Sequence, residues 1–382
     1  MKVGTQLSEK LNKASAARHI YFDNAATTAS LPFTTDNEGS RRHSHHNPYG
    51  VGTLPGNASS AHGLGVRAER ALGAARGDIA RVLGCGAGEI VFTSGGTESN
   101  NLAILGFVMA NKRRNLEIFA EAWEHPSVLE PVRAARELGG GRLVCLSHVS
   151  HETGDVCDVS KVALAAKRDN PDAVVFVDGV QGFCKERVNL DGVDLYSFSG
   201  HKIHGGSGVG GLFVRKGLRL MPMMLGGGQE GGLRAGTENV GGIVQMAAAA
   251  RELSAARDEY AVRVSEIKVI LMKLFDELPD CFVNFMGEEV SPYILNMSFM
   301  GIKGETLVHI LSEKGIYASM GAACRSRTKK KSVLEEMGFS AERAQSAVRF
   351  SFSHLNTVEE AEIVAEVIKK SVAEMRRVLR RA

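Results

Sequence analysis

One lysine stands among small and imidazole side chains in "DLYSFSGHKIHGGSGVGGLFVR" (194–215), at Lys202, where an apolar run ends. On its own such a lysine is a solvated surface charge. Held in a desolvated place, it has a lowered pKa and its amine can form a Schiff base. About two dozen residues upstream, "VVFVDGVQG" (174–182) ends another apolar run at Asp178, with Gln181 one turn later. An aspartate there caps the following turn in many proteins. It is also the second half of a pair that pyridoxal phosphate needs: a lysine for the aldehyde and an acid that keeps the pyridinium nitrogen protonated. A third run, "FTSGGTESNN" (92–101), passes through Gly95-Gly96-Thr97 into a helical pattern. Glycines let backbone N–H groups approach an anion, and a helix N-terminus favours its charge. The glycine spacing is not that of a dinucleotide fingerprint, and no Walker lysine follows. A fourth stretch, "SMGAACRSRTKKK" (319–331), sets Cys324 ahead of Arg325, Arg327, Lys329, Lys330 and Lys331. Nearby cations lower a thiol pKa from about 8.5 toward 7, while salt screens exposed charges. The plain alternative is a solvated basic loop that contains a thiol.

These residues need a scaffold. Short apolar runs at 89–94, 116–122, 142–148, 173–178, 194–199 and 209–215 alternate with helix-length segments. Their apolar character is continuous rather than alternating, which predicts strands covered on both faces by helices. The pattern is that of an α/β domain with a mainly parallel sheet. Ligands bind beyond the carboxyl ends of such strands, where Asp178, Lys202 and the Gly95–Gly96 turn fall. A helical stretch over 239–278 connects to a smaller C-terminal α+β unit. The last helix is predicted from Thr357, where Thr357 and Glu360 fit a capping box. Its acidic start and basic end, "RRVLRRA", complement the helix dipole. The expected division is an N-terminal segment (1–20), a large cofactor-binding domain (21–255) and a small C-terminal domain (256–382) carrying Cys324.

Composition sets outer limits. The chain has 382 residues, too many for one hydrophobic core, so two packed units are expected. With 44% hydrophobic and 23% charged residues it is ordinary for a soluble globular protein. Basic residues outnumber acidic ones 46 to 43, a net charge of +3, which excludes a dedicated nucleic-acid binder. The six cysteines (85, 145, 157, 184, 281 and 324) form no CxxC pair. They read as reduced thiols rather than a disulfide framework or zinc ribbon. The first twenty residues lack the apolar core of a signal peptide, and no apolar run is long enough to span a bilayer. A cytoplasmic location and no membrane contact are therefore expected. His43, His45 and His46 lie in a turn-rich segment (31–56) without a carboxylate or cysteine at ligand spacing. They are expected to be solvated, with no metal bound.

Read together and in order, "YFDNAATT", "GNASSAHGLG", "FTSGGTESNN", "EHPSV", "VDGVQG", "SFSGHKIHGGSGVGGLFVR", "GGGQEGGLRAGTENV", "LNMSF" and "VRFSFS" resemble the cysteine desulfurases of the NifS/IscS type. Those are pyridoxal-phosphate enzymes of fold type I, the aspartate-aminotransferase fold, and the resemblance spans about residues 20 to 370. It implies that Lys202 carries the cofactor and that His125 stacks on its ring and moves protons. It places Asp178 at the pyridine nitrogen and Gln181 at the ring hydroxyl. Gly96, Thr97, Ser199 and His201 would hold the phosphate, with Thr237 reaching in from a second subunit of a homodimer. Arg349 would take the substrate carboxylate, which its planar fork matches; by itself it is a strand arginine paired with a local acid. The implied reaction converts L-cysteine to L-alanine and leaves a persulfide on Cys324, for delivery to an acceptor protein in iron–sulfur assembly or thiolation. No direct nucleic-acid contact is expected.

The chain also departs from that family. His151, in "SHETG", stands where an asparagine is usual and where the substrate and ring hydroxyl would be contacted. Gly231 replaces an arginine, "GNASS" lacks the usual proline, and Arg325 follows the cysteine in place of a threonine. The His151 change motivates an alternative substrate on the same fold, selenocysteine or cysteine sulfinate.

Overall fold

The computed structural model describes residues 19–30, 33–34, 45–46, 56–112, 117–136, 142–320 and 331–380. The chain divides into two compact units. The larger comprises Thr28–Ser150 and Cys157–Arg257; the smaller comprises Met1–Thr27, His151–Val156 and Asp258–Ala382.

The larger unit is built on a six-stranded sheet. Its order is Ile90–Thr93, Gly210–Val214, Leu195–Ser199, Val174–Asp178, Arg142–Ser147, Glu117–Ala120. The last four are mutually parallel, and only Gly210–Val214 runs against its neighbours. Ile90–Thr93, Val174–Asp178, Leu195–Ser199 and Gly210–Val214 are buried along their whole length. That explains their unbroken apolar character: each contributes side chains to both covered faces. The edge strand Glu117–Ala120 alternates between exposed and half-buried positions. Phe176, Leu195 and Leu212 of the sheet pack with Leu102, Ile104 and Phe107 of the Gly96–Ala110 helix and with Val128 and Val132 of the Pro126–Ala135 helix. Truncating Phe176, which is fully buried, to alanine would cost about 3–5 kcal/mol.

The smaller unit has a four-stranded antiparallel sheet, ordered Cys281–Val283, Ile294–Phe299, Ala347–Ser351, Ser319–Met320. Met297, Phe299, Phe350 and Phe352 form its core with Leu307, Val364 and Ile368 of two helices, Gly304–Glu313 and Val358–Leu379. The last helix opens with the expected box: the Thr357 hydroxyl accepts from the Glu360 N–H, and Glu360 accepts from the Thr357 N–H.

A single cut after residue 255 does not describe this arrangement. Residues 21–27 and 151–156 belong to the smaller unit because of where their backbone groups bond. Ile20–Tyr21 pairs in parallel with Ile316–Tyr317, and Ser351 donates to the Phe22 carbonyl at 2.7 Å. Gly154 accepts from Ser291 at 2.8 Å, and Val156 donates to Glu289 at 2.9 Å. Periodicity carries no information about such distant partners. Among the described residues, no helix is long and apolar enough to cross a membrane.

Candidate active site

Lys202 closes a short turn, Gly200–Lys202, at the carboxyl end of the Leu195–Ser199 strand. The turn is tied down from outside. Thr28 donates its hydroxyl proton to the His201 carbonyl at 3.0 Å and accepts from the His204 N–H at 2.8 Å. His204 also places Nδ1 2.8 Å from the Ala29 carbonyl. Lys202 and His201 are half-buried. Burial, followed by the charges of Lys202 and Lys185, lowers the His201 pKa to about 4, so its imidazole is neutral at physiological pH.

The Ser199 side chain at the base of this turn is fully buried, and its hydroxyl has no hydrogen-bond partner among the described residues. A buried polar group without a partner is costly unless a ligand completes it. Facing it is the start of the Gly96–Ala110 helix. Gly95, the N-cap, has φ 155° and ψ −177°, a region open in practice only to glycine. A Cβ on Gly95 would point at Ser199 Oγ, 3.7 Å away, and one on Gly96 would strike Val180 at 2.5 Å. The backbone here is bare for a close-approaching ligand, and the N–H groups of Gly96, Thr97 and Glu98 precede the first intrahelical bond, from Ser99 to Gly95. Thr97 lies in that first turn and is exposed.

Asp178 ends the Val174–Asp178 strand and is buried. Its Oδ2 accepts from Asn100 at 2.8 Å and its Oδ1 from the Val180 N–H at 3.1 Å. Gln181 follows in the same turn, also buried. His125 is the N-cap of the Pro126–Ala135 helix, where its Nδ1 accepts from the Ser127 N–H at 3.1 Å; the residue is exposed. Glu124 beside it is buried. Burial raises its pKa to about 7, opposed by hydrogen bonds from Ser147 and reinforced by the nearby Asp178 charge.

The larger unit therefore gathers Lys202, Ser199 and His201 near the Gly95–Thr97 cradle, and links Asp178 to His125 through Asn100 and Ser127. These fit pyridoxal phosphate: a glycine-lined helix start with an orphaned hydroxyl for the phosphate, a buried carboxylate for the ring nitrogen, an imidazole, and a lysine.

In the smaller unit, Arg349 lies mid-strand in Ala347–Ser351 and is buried. It donates from Nη1 to the His151 carbonyl at 2.7 Å, and Nη2 lies 3.3 Å from Asp23 Oδ1. Glu152 is 3.9 Å from Nη1, and Ser319 donates to Asp23 at 2.6 Å. Arg349 is thus paired with local acids, yet its buried Nε–H has no partner among the described residues. His151 and Arg349 are brought together, with the His151 ring 3.8 Å from Glu152.

The chain matches the aminotransferase class-V model over residues 20–144 and 140–364. It is 37% identical to the NifS/IcsS protein homolog of Lactobacillus delbrueckii subsp. bulgaricus, covering 90% of this chain and 94% of the other. To cysteine desulfurase IscS 1 of Archaeoglobus fulgidus it is 32% identical, covering 84% and 91%. This chain belongs to the class-V aminotransferases of the NifS/IscS cysteine desulfurase type. Class-V aminotransferases of this fold are pyridoxal-phosphate enzymes in general. Among solved structures, a NifS-like protein superposes with a TM-score of 0.82 at 32% identity, covering 93% of this chain and all of that one. A structure of SspA in complex with cysteine superposes with a TM-score of 0.70 at 28% identity, covering 87% and 99%.

For a class-V aminotransferase, several positions were not legible beforehand. Asn100 and Ser127 were visible only as polar letters in "TESNN" and "EHPSV"; Thr28 and Asp23 lie in "YFDNAATT" without any local mark of function. Gly231 has φ 64° and ψ 22°, a left-handed conformation that favours glycine and would strain a larger side chain. Thr237 is exposed on its loop. Cys324, the basic residues 325–330 and His43 lie outside the described residues, as do the side chains of His45 and His46.

Proposed function

We propose that this chain is a cysteine desulfurase that converts L-cysteine to L-alanine and places the released sulfur on Cys324. The observation that carries the reading is the orphaned Ser199 hydroxyl in the glycine-lined helix start, next to the turn that bears Lys202. When bound, pyridoxal phosphate supplies an electron sink for charge developing at the substrate α-carbon. Lys202 anchors it and is placed by the Thr28 ties to take the α-proton. Asp178 stabilises the pyridinium proton, and Gln181 meets the ring hydroxyl. Gly96, Thr97, Ser199 and His201 bind the phosphate. His201 acts there as a hydrogen-bond donor.

Arg349 takes the substrate carboxylate with its free Nε–H and one edge of its fork, His151 and Asp23 fixing its orientation. His125 carries protons at the reacting atoms. Cys324 attacks the substrate sulfur as a thiolate. The Cβ–S bond breaks, Cβ gains a proton, and the balance is L-cysteine plus thiol giving L-alanine plus persulfide. The other five cysteines support this choice. Burial pushes the Cys145, Cys184 and Cys281 thiols up, Cys85 to about 12 and Cys157 to about 11, so none is prepared as a nucleophile.

The enzyme acts as a homodimer in which Thr237 serves the partner's phosphate site. The exposed Met221, Met223, Met224 and Leu225, in the segment leading to Thr237, form the apolar surface such a contact would cover. The persulfide passes to an acceptor protein in the cytoplasm, an iron–sulfur scaffold or a thiolation enzyme. The test is a substrate panel with the cofactor-loaded protein: alanine should form faster from L-cysteine than from selenocysteine or cysteine sulfinate. A preference for either of the latter would replace the desulfurase reading by the alternative that His151 motivates.

A further inference from the structure

Four side chains form a continuous hydrogen-bonded line from Asp178 to His125. Asn100 Nδ2 donates to Asp178 Oδ2 at 2.8 Å and to Ser127 Oγ at 2.8 Å. Ser127 Oγ lies 2.7 Å from His125 Nδ1, which also receives the Ser127 backbone N–H at 3.1 Å. Asn100 is fully buried.

The proton directions follow from the chemistry of the two ends. A carboxylate only accepts, so Asn100 must turn its amide nitrogen toward Asp178. Both of that nitrogen's protons are then committed, one to Asp178 and one to Ser127. Asn100 Oδ1 is buried with no partner among the described residues, so nothing on the oxygen side sets the orientation. Having accepted from Asn100, the Ser127 hydroxyl donates its own proton to His125 Nδ1. A backbone N–H already points at the same atom and can only donate. Nδ1 is therefore an acceptor, and in the neutral imidazole the proton lies on Nε2.

We infer that Asn100 and Ser127 are positioning residues that hold His125 in the tautomer protonated at Nε2 and tie its ring orientation to the Asp178 carboxylate. The inference deepens, and rests on, the reading of His125 as the proton carrier beside the cofactor. One buried amide thereby ties together two side chains that would both serve the cofactor, the Asp178 carboxylate and, through Ser127, the His125 imidazole. A pure helix-capping role for His125 would need only the Ser127 N–H; the hydroxyl and Asn100 would be superfluous to it.

The test is nitrogen-15 NMR of the histidine side chains in cofactor-loaded protein, in alkaline buffer where the imidazole is neutral. Loss of one signal set in His125→Gln assigns His125 among the 12 histidines. The wild type should show protonated Nε2 and unprotonated Nδ1. Ser127→Ala, which keeps the backbone N–H, should leave the proton on Nε2 but shift the Nδ1 signal as that atom loses its second donor, and lower kcat about tenfold with KM little changed, part of the 10²–10⁴-fold that a placed proton carrier supplies. Ser127→Thr, which keeps the hydroxyl, should restore both. A wild-type signature with the proton on Nδ1, or an unaltered signature in Ser127→Ala, would overturn the inference. A protein without desulfurase activity that still shows the predicted signatures would sink the functional reading and leave this one standing.

Discussion

Arg349 donates to the His151 carbonyl at 2.7 Å, so the guanidinium is oriented by the backbone of that residue rather than by its imidazole. With Asp23 on the other nitrogen at 3.3 Å, the fork is fixed before any substrate arrives. Replacing Arg349 by lysine keeps the charge but loses the planar donors. The KM for L-cysteine should rise roughly ten- to a hundredfold, the value of one charge-assisted hydrogen bond or more, while kcat falls less. Steady-state alanine formation measures both.

Because the contact is through the carbonyl, His151→Asn should leave the arginine in place. The KM for L-cysteine should stay within about threefold, and the ratio of kcat/KM values for L-cysteine and cysteine sulfinate should change, since pocket groups act on differences between substrates. A tenfold rise in KM with an unchanged ratio would show that the imidazole supports Arg349 instead.

The turn bearing Asp178 and Gln181 rests on two buried aromatic rings. His148 Nδ1 lies 2.9 Å from Tyr196 Oη, and a Cβ on Gly179 would fall 2.0 Å from Tyr196 Cζ. Burial lowers the His148 pKa to about 4, so the pair is neutral. Gly179→Ala should weaken pyridoxal-phosphate binding and destabilise the fold. In a Tyr196→Leu background the same change should cost less, because the two sites share one space. Equal losses in both backgrounds, read by thermal unfolding and cofactor titration, would show that the ring does not set the turn.

Glu124, raised to about 7 from an ordinary 4.5, gives a pH signature of definite sign. Between these values the unfolded chain releases the proton while the folded protein keeps it, so stability falls as pH rises through the window and levels off above it. Relative to Glu124→Gln, the wild type should lose up to about 3 kcal/mol from acid to neutral pH. Urea midpoints across pH measure it; a difference independent of pH would place the carboxylate's charge outside the folded interior.

How far the letters alone could go is visible in particular residues. The strands ending at Asp178 and Ser199 announced themselves because burial on both faces leaves an unbroken apolar run, and Thr357 with Glu360 is a local signal for a local structure. Lys202, at a strand exit, followed from the same logic. Asn100, Ser127 and Asp23 did not, since each acts on a partner far away in sequence: Asp178 lies 78 positions from Asn100, and Arg349 lies 326 from Asp23. The same holds for 151–156, whose bonds to Ser291 and Glu289 move it into the smaller unit.

The proposed mechanism depends on sulfur passing through Cys324. Incubating the cofactor-loaded enzyme with L-cysteine, then measuring alanine together with the mass of the peptide that carries Cys324, tests it directly. That peptide should be heavier by one sulfur atom, and Cys324→Ala should abolish alanine formation. Wild-type rates of alanine formation in Cys324→Ala, or turnover that leaves the peptide mass unchanged, would contradict it.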